Sequence, residues 1–192
     1  MSKVVVFTNM TLHGVMQAPG RPDEDRRGGF EHGGWATPYA AMVQAGDSMA
    51  TIGALLFGRR TYEDFYAVWP KRKDSPFSAM LDNMQKYVAS TTLLKGDAAE
   101  AVARLKGEPG KDLVVMGSGE LVQSLMRGNL VDEYVLLIYP LVLGSGPRLF
   151  PDGGAIAALR LVGTKTTTNG VVIATYQPDE PTARKTTEAA TH

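Results

Sequence analysis

The amino-acid sequence predicts an α/β fold, a mixed and mostly parallel sheet with helices on both faces that ends in an antiparallel hairpin. Three observations predict it. Short β-rich apolar runs alternate along the chain with stretches of helical periodicity. Most connections between them are short, as packed crossover units require. Near the end, Asn169-Gly170 separates two β-rich runs, the pattern of a hairpin.

The elements follow in order. "KVVVFT" (3–8) is β-branched and apolar enough for a buried first strand. From Asn9 to about Gly34 the chain is rich in glycine, proline and charge, and a loop of that length in a compact domain borders a site or moves. Its segment "RPDEDRR" is expected to stay solvated. Residues 38–45 read as a short helix and "ATIGALLFG" (50–58) as the second strand. The helix after Gly58 carries Tyr62, Phe65, Tyr66 and Trp69 at spacings of three and four, a stripe expected to face the core, with Pro70 as its stop. "KYVAST" (86–91) is a strand, "DAAEAVARLK" (97–106) a helix capped by Asp97, and "DLVVMG" (112–117) another strand. "ELVQSLMRGN" (120–129) turns Leu121, Val122 and Leu125 inward and places Gly128 where a left-handed helix end belongs. "DEYVLLIYPLVLG" (132–144) is a further strand. Residues 178–192 have neither pattern nor core and are expected to form a disordered tail, which leaves 1–177 as a single domain.

Composition narrows the function. Lys plus Arg and Asp plus Glu each number 20, so no global field draws the protein to nucleic acid or an anionic membrane, and any anion site must be local. There is no cysteine, which removes disulfides, thiolate chemistry and cysteine-ligated metals and makes the cytoplasm the expected address. No stretch approaches the roughly 20 apolar residues that span a bilayer. Walker A, G-x-S-x-G and H-E-x-x-H motifs do not occur, and His13, His32 and His192 have no metal-ligand spacing.

Chemistry is left to the loops at the carboxyl ends of the strands, where ligands of parallel sheets gather. Three of them lead toward helices: "GRRT" (58–61), "STT" (90–92) and "GSGEL" (117–121). Helix N-termini offer free amides to phosphate, Gly117 and Gly119 permit close approach of the backbone to a pyrophosphate, and Arg59 or Arg60 suits a terminal phosphate that Ser90, Thr91 and Thr92 also reach. Two phosphate loops and an additional anion pocket point to a phosphorylated dinucleotide, NADPH. "GSGELV" lacks the third glycine of the Rossmann fingerprint, and no acid ends the following strand, so this is not an ordinary Rossmann dehydrogenase. Trp35, at the far end of the long loop, either covers a flat ring or staples the loop down.

"LLFGRRTYEDFYAVWP", "KYVASTTL" and "VVMGSGELVQSLMRGNLVDEYVLLIYPLVLGSGPRLF" resemble the dihydrofolate-reductase-like family that includes the C-terminal reductase domain of the riboflavin-biosynthesis deaminase-reductase. The resemblance runs from the first strand to about Gln177. It implies a three-layer dihydrofolate-reductase-like sheet, NADPH as hydride donor and a homodimer, to which "EYVLLIYPLVL" or its neighbours would lend apolar surface. It further implies that Gly58, Arg59, Arg60 and Thr61 bind cofactor phosphate and that Ser90, Thr91 and Thr92 lie near the adenosine 2′-phosphate. Gly117, Ser118, Gly119, Glu120 and Leu121 would cradle the pyrophosphate and nicotinamide side, and Gly14 would approach the nicotinamide.

Two departures bear on the reaction. Family members carry Ser-Leu-Asp-Gly after the first strand where this chain has "TLHG", so His13 replaces the acid. The helix at 38–45 has no carboxylate of the kind that holds a pteridine, which speaks against folate as substrate. No deaminase zinc motif occurs, so the resemblance carries to the reductase alone. The reading is an NADPH-dependent oxidoreductase acting on a small heterocyclic substrate. A non-catalytic nucleotide binder of the same fold and a free-standing 5-amino-6-(ribosylamino)uracil-type reductase are the alternatives. Thr11, His13, Trp35 and the "GSGPR" loop (144–148) are the candidates for substrate contact, and the sequence ranks none as proton donor. The long loop is expected to act as a lid over the nicotinamide end.

Overall fold

A computed structural model of the chain describes residues 2–39, 52–72, 76–89, 98–110, 112–154 and 156–179. Seven strands form one sheet: β1 (Val4–Thr11), β2 (Ile52–Gly58), β3 (Gln85–Ala89), β4 (Asp112–Met116), β5 (Glu133–Tyr139), β6 (Leu159–Thr166) and β7 (Val172–Pro178). Their order is β3-β2-β4-β1-β5-β7-β6. The pairings among the first five are parallel, whereas β7 runs antiparallel to β5 and β6 to β7. Among the described residues the α-helices are α1 (Arg59–Val68), α2 (Pro76–Asn83), α3 (Ala98–Gly107) and α4 (Gly119–Arg127).

The apolar runs of the sequence are the central strands, covered on both faces because crossover helices pack on each side. Val5, Phe7, Leu55, Phe57, Val114, Met116, Val135 and Leu137 point to one face, where they meet α1 and the loop residues Phe30 and Trp35. Val4, Val6, Leu56, Val115 and Leu136 point to the other and meet Val102 of α3 and Leu121, Val122 and Leu125 of α4. Burial of each large aliphatic side chain stabilises the fold by about 1.5–3 kcal/mol.

Several sequence expectations shift. β1 continues to Thr11 because β5 keeps pairing with it through Asn9–Leu137, Met10–Ile138 and Thr11–Tyr139. β5 ends at Tyr139, before Pro140, which has no N–H to give a ladder. It lies between β1 and β7 with most of its side chains buried, as a central strand, while Val142 beyond its end is exposed. Leu161 and Val162 are also exposed, on the edge strand β6. Gly128 has φ −85° and is not left-handed. Asn129 takes that role at φ 50°, with Asn129 N–H bonded to Met126 O and Leu130 N–H to Leu125 O, a Schellman closure one residue later than expected. The aromatic stripe of α1 is not core throughout: no residue of that helix is fully buried, and Tyr66 is 68% exposed. The expected helix at 38–45 lies mostly outside the described residues, as do residues 50–51, 90–97 and 180–192.

Two turns repeat one design. Thr11 N–H bonds Val15 O, Gly14 N–H bonds Thr11 O, and Val15 N–H bonds Thr11 Oγ1. The same three bonds recur for Thr167, Gly170 and Val171 in the β6–β7 hairpin. Each needs a glycine at positive φ, +89° at Gly14 and +81° at Gly170.

At the opposite edge of the sheet Asp132 ties three elements together. Its carboxylate accepts Val4 N–H at 2.8 Å and Lys106 Nζ at 2.7 Å, joining the starts of β1 and β5 to the end of α3. Hydrogen bonds to a charged group contribute about 1.5–3 kcal/mol. Asp132→Ala is expected to lower unfolding stability by about that amount in urea denaturation while leaving ligand affinity at the far edge unchanged.

Candidate functional site

A cleft of about 1330 Å³ opens at the carboxyl ends of β1, β2 and β4. It is larger than the roughly 300–1,000 Å³ of a site for one small molecule. Phe7, Thr8 and Asn9 of β1 and Met116 of β4 form its floor, and Thr61, Asp64, Phe65, Val68 and Trp69 present one side of α1 and the turn that follows it. That stripe follows the three-and-four spacing of a helix face.

The centre of the cleft is the junction where β2 enters α1 and β4 enters α4. Gly117 and Ser118 are both left-handed, at φ 66° and 61°, and this sharp turn opens α4 directly at Gly119. Neither Gly58 at the start of α1 nor Ser118 at the start of α4 makes a side-chain cap. Two helix N-termini therefore meet at one cleft with their first amides uncapped by side chains, and both dipoles favour an anion there. Packing is close. A Cβ at Gly117 would lie 3.2 Å from Thr61 Cγ2, and one at Gly119 would lie 3.0 Å from Met16 Sδ. Around them stand Arg59, Arg60 and Arg72. Arg59 makes a 3.4 Å pair with Glu63 whose partners are both more than 60% exposed, a contact worth little, and Arg72 lies over the Trp69 ring at 5.1 Å. Glu120, exposed in the first turn of α4, is the opposing charge.

The facing wall is the long loop, and it is folded. Trp35 Nε1–H donates to Gln17 O at 2.7 Å, Gly34 N–H to Ala18 O and Ala36 N–H to Pro19 O, while Gln17 Nε2 reaches Asp25 O and Arg27 O. The segment expected to stay solvated is exposed at Pro22, Asp23, Arg26 and Arg27 but tied down at Arg21, Glu24 and Asp25. Arg21 forks onto Asp64 of α1 through Nη1 at 3.3 Å and Nη2 at 2.5 Å, both side chains about three-quarters covered. The Arg27 guanidinium holds the Asp25 carboxyl down to about 2. Glu24 accepts the N–H groups of Gly20 and Arg21 at 2.6 and 3.0 Å, yet burial outweighs these bonds and raises its carboxyl above the usual range.

The structure brings together Gly58, Arg59, Arg60, Thr61 and Gly117, Ser118, Gly119, Glu120 and Leu121 on the cleft. The Leu121 side chain is buried in the core beneath α4. Ser90, Thr91 and Thr92 lie outside the described residues. Gly14 stands behind the cleft wall, 3.8 Å from Arg148 Cβ when a Cβ is built on it. Thr11, His13 and Trp35 do not line the cleft. Thr11 is fully buried in its turn and bonded to His13 Nδ1 at 3.0 Å, and Trp35 packs edge-on against Tyr139, so the indole staples the loop. Of the "GSGPR" loop, Ser145, Gly146, Pro147 and Arg148 line the cleft. Sequence reasoning did not single out Asn9, Arg21, Glu24 or Asp64. For Asp64 a signal existed, three residues after Thr61 on the same helix face. Among the described residues no group of histidines and carboxylates is arranged to hold a metal, and no helix is long and apolar enough to cross a membrane.

The profile of the RibD C-terminal domain family matches residues 2–173. The uncharacterized protein YyaP of Bacillus subtilis (strain 168) is 32% identical over 143 residues, 68% of this chain and 76% of that protein. Among crystal structures, the Thermotoga maritima diaminohydroxyphosphoribosylaminopyrimidine deaminase/5-amino-6-(5-phosphoribosylamino)uracil reductase superposes with a TM-score of 0.61 at 12% identity, over 93% of this chain and 57% of that one. Dihydrofolate reductase from Enterococcus faecalis complexed with NADP(H) superposes with a TM-score of 0.59 at 15% identity, over 93% and 97% of the two chains. The fold is thus dihydrofolate-reductase-like.

Glu24 generates a prediction about the loop. A carboxyl raised by burial holds its proton more tightly in the folded than in the unfolded chain. The folded state therefore loses stability as pH rises through the window above 4.5, and the loss persists at neutral pH. Glu24→Gln keeps an oxygen for the amides of Gly20 and Arg21 and removes the buried charge. It is expected to be at least as stable as the wild type in urea at about pH 7, with the difference closing at about pH 4 where both side chains are neutral.

Proposed function

The chain belongs to the RibD C-terminal domain family, and from that premise and the geometry of its cleft we propose that it is an NADPH-dependent reductase delivering hydride to a small heterocyclic substrate. One observation carries the reading: two helix N-termini without side-chain caps converge on a single cleft ringed by arginines. A phosphorylated dinucleotide suits such a pair, because its pyrophosphate meets the positive end of one dipole and its 2′-phosphate that of the other. The size of the cleft supports room for a dinucleotide and a second molecule together.

In this reading the amides of Gly117 to Leu121 take the pyrophosphate, and Gly58 to Thr61 with Arg59 or Arg60 take the 2′-phosphate on the β2 side. Bound there, the reduced nicotinamide supplies the hydride. The protein's own part is to orient, to exclude water and to complement charge. Asp64 and Glu24, near the loop wall, are the carboxyl groups within reach of the second molecule, and Phe65 and Trp69 offer it an aromatic side. A small planar heterocycle with polar edges fits such a lining.

Calorimetry tests the cofactor. NADPH is expected to bind more tightly than NADH, and Arg59→Ala or Arg60→Ala to remove most of the preference, since one charge-assisted pair is worth about 1.5–3 kcal/mol or roughly 10- to 100-fold. Equal affinity for the two cofactors would refute the assignment. NADPH oxidation in the presence of pterins, pyrimidines and quinones then separates a reductase from a binder, which would hold cofactor and turn nothing over.

The loop from Leu12 to Gly34, shortened by the three residues that β1 keeps, is the lid of this reading, with Gly14 and Gly34 at positive φ as its hinges. Saturating NADPH is expected to slow amide exchange from Leu12 to Met16 and at Trp35. Gly14→Val, which forces a β-branched residue to φ +89°, is expected to weaken NADPH binding without abolishing the thermal transition. Unchanged exchange would reduce the loop to a fixed wall.

A further inference from the structure

Tyr139, at the carboxyl end of β5, is fully buried, with Trp35 and Tyr39 edge-on to its ring at 5.1 and 5.3 Å. A phenylalanine would fill the same space. A hydroxyl inside such a box is costly unless it is bonded, and its partner is Asn9 Oδ1 at 2.8 Å. A tyrosine hydroxyl keeps its proton near neutral pH and is a donor there, and burial, which pushes Tyr139 up to about 12, only extends that range. The consequence falls on Asn9. With its carbonyl oxygen held by Tyr139, its Nδ2 is turned to the other side, and two N–H bonds let that nitrogen serve a ligand and a protein acceptor together.

The position of Asn9 in the sheet identifies the ligand group. β1 lies beside β4, with Phe7 opposite Met116, so Asn9 stands one strand away from the Gly117 turn, about 5 Å laterally. Arg59 and Arg60 follow β2, on the other side of β4. A dinucleotide whose pyrophosphate sits after β4 and whose 2′-phosphate sits after β2 must place its nicotinamide over the end of β1. Asn9 lines the cleft at that end. We propose that Asn9 is a specificity-determining contact for the nicotinamide carboxamide, Nδ2 donating to its carbonyl oxygen, and that Tyr139 is the positioning residue that holds Asn9 in this orientation. The proposal rests on the reductase reading above. A substrate carbonyl offers the same acceptor, and the ligands chosen for the test separate the two sources.

Calorimetry with NADPH and with 2′-phospho-ADP-ribose, which lacks the nicotinamide ring, tests it on the full chain. Asn9→Asp keeps the oxygen that Tyr139 bonds and removes the donor. It is expected to weaken NADPH at least tenfold and to change 2′-phospho-ADP-ribose less than twofold. Tyr139→Phe is expected to weaken NADPH several-fold and to shift the emission of bound NADPH, and adding it to Asn9→Asp should cause no further loss, because Tyr139 acts through Asn9. Should Asn9→Asp fail to fold, Asn9→Ala carries the same expectation for the two ligands. Equal losses for both ligands, additive losses in the double variant or unchanged NADPH affinity would each overturn the proposal, the last leaving the donor to a substrate carbonyl. Failure of the wild type to bind NADPH would instead remove the reductase reading on which it stands.

Discussion

Between the end of β2 and the turn after β4 there is no room for a side chain. A Cβ at Gly58 would lie 2.0 Å from Ser118 Oγ and 3.1 Å from Ser118 Cβ. The hydroxyl could rotate away, but the carbon could not without moving the backbone. That approach is possible because Gly58 has no Cβ, and the beginnings of α1 and α4 both reach one cleft there. The uncapped amides and the arginines that flank them stand together at this junction.

The two faces of the sheet differ in how completely they are covered. Under α3 and α4 the packing is closed, with Val102, Val122 and Leu125 having no exposed surface. On the other face α1 buries none of its residues fully, and among the described residues the folded loop adds Phe30, Trp35 and Ala36 and α2 adds Leu81. The cleft opens between α1 and the loop, and both line it. Phe65 and Trp69 consequently act both as partners of the core and as lining of the site. A helix devoted wholly to the core would have left no opening.

Much of this was legible in the sequence. The central strands announced themselves because strands covered on both faces must be apolar throughout, and the Asn169-Gly170 hairpin because a positive-φ turn selects glycine. The loops at 58–61 and 117–121 that line the cleft were legible as glycine followed by a helix start. What was not legible depended on contacts distant in sequence. "RPDEDRR" reads as solvated in isolation, since only the fold brings Asp64 to Arg21 across more than forty residues. Asn9 reads as the first residue of a loop because the pairing that keeps it in β1 is made by β5. Gly128 and Asn129 are adjacent helix enders, and choosing between them requires knowing which carbonyl the following amide reaches.

The Thr11–Val15 turn and the interlocked bonds of residues 17–37 also bear on the thermodynamics of association. A segment whose backbone is already fixed by its own hydrogen bonds has lost its conformational entropy at folding. A ligand closing it does not have to order it, and the opposing term that burdens disordered lids, about 1–2 kcal/mol for each residue fixed, is largely absent. Any movement is that of a plate turning as one body. The heat capacity of binding should then reflect the surface covered by the ligand itself and not a loop collapsing around it.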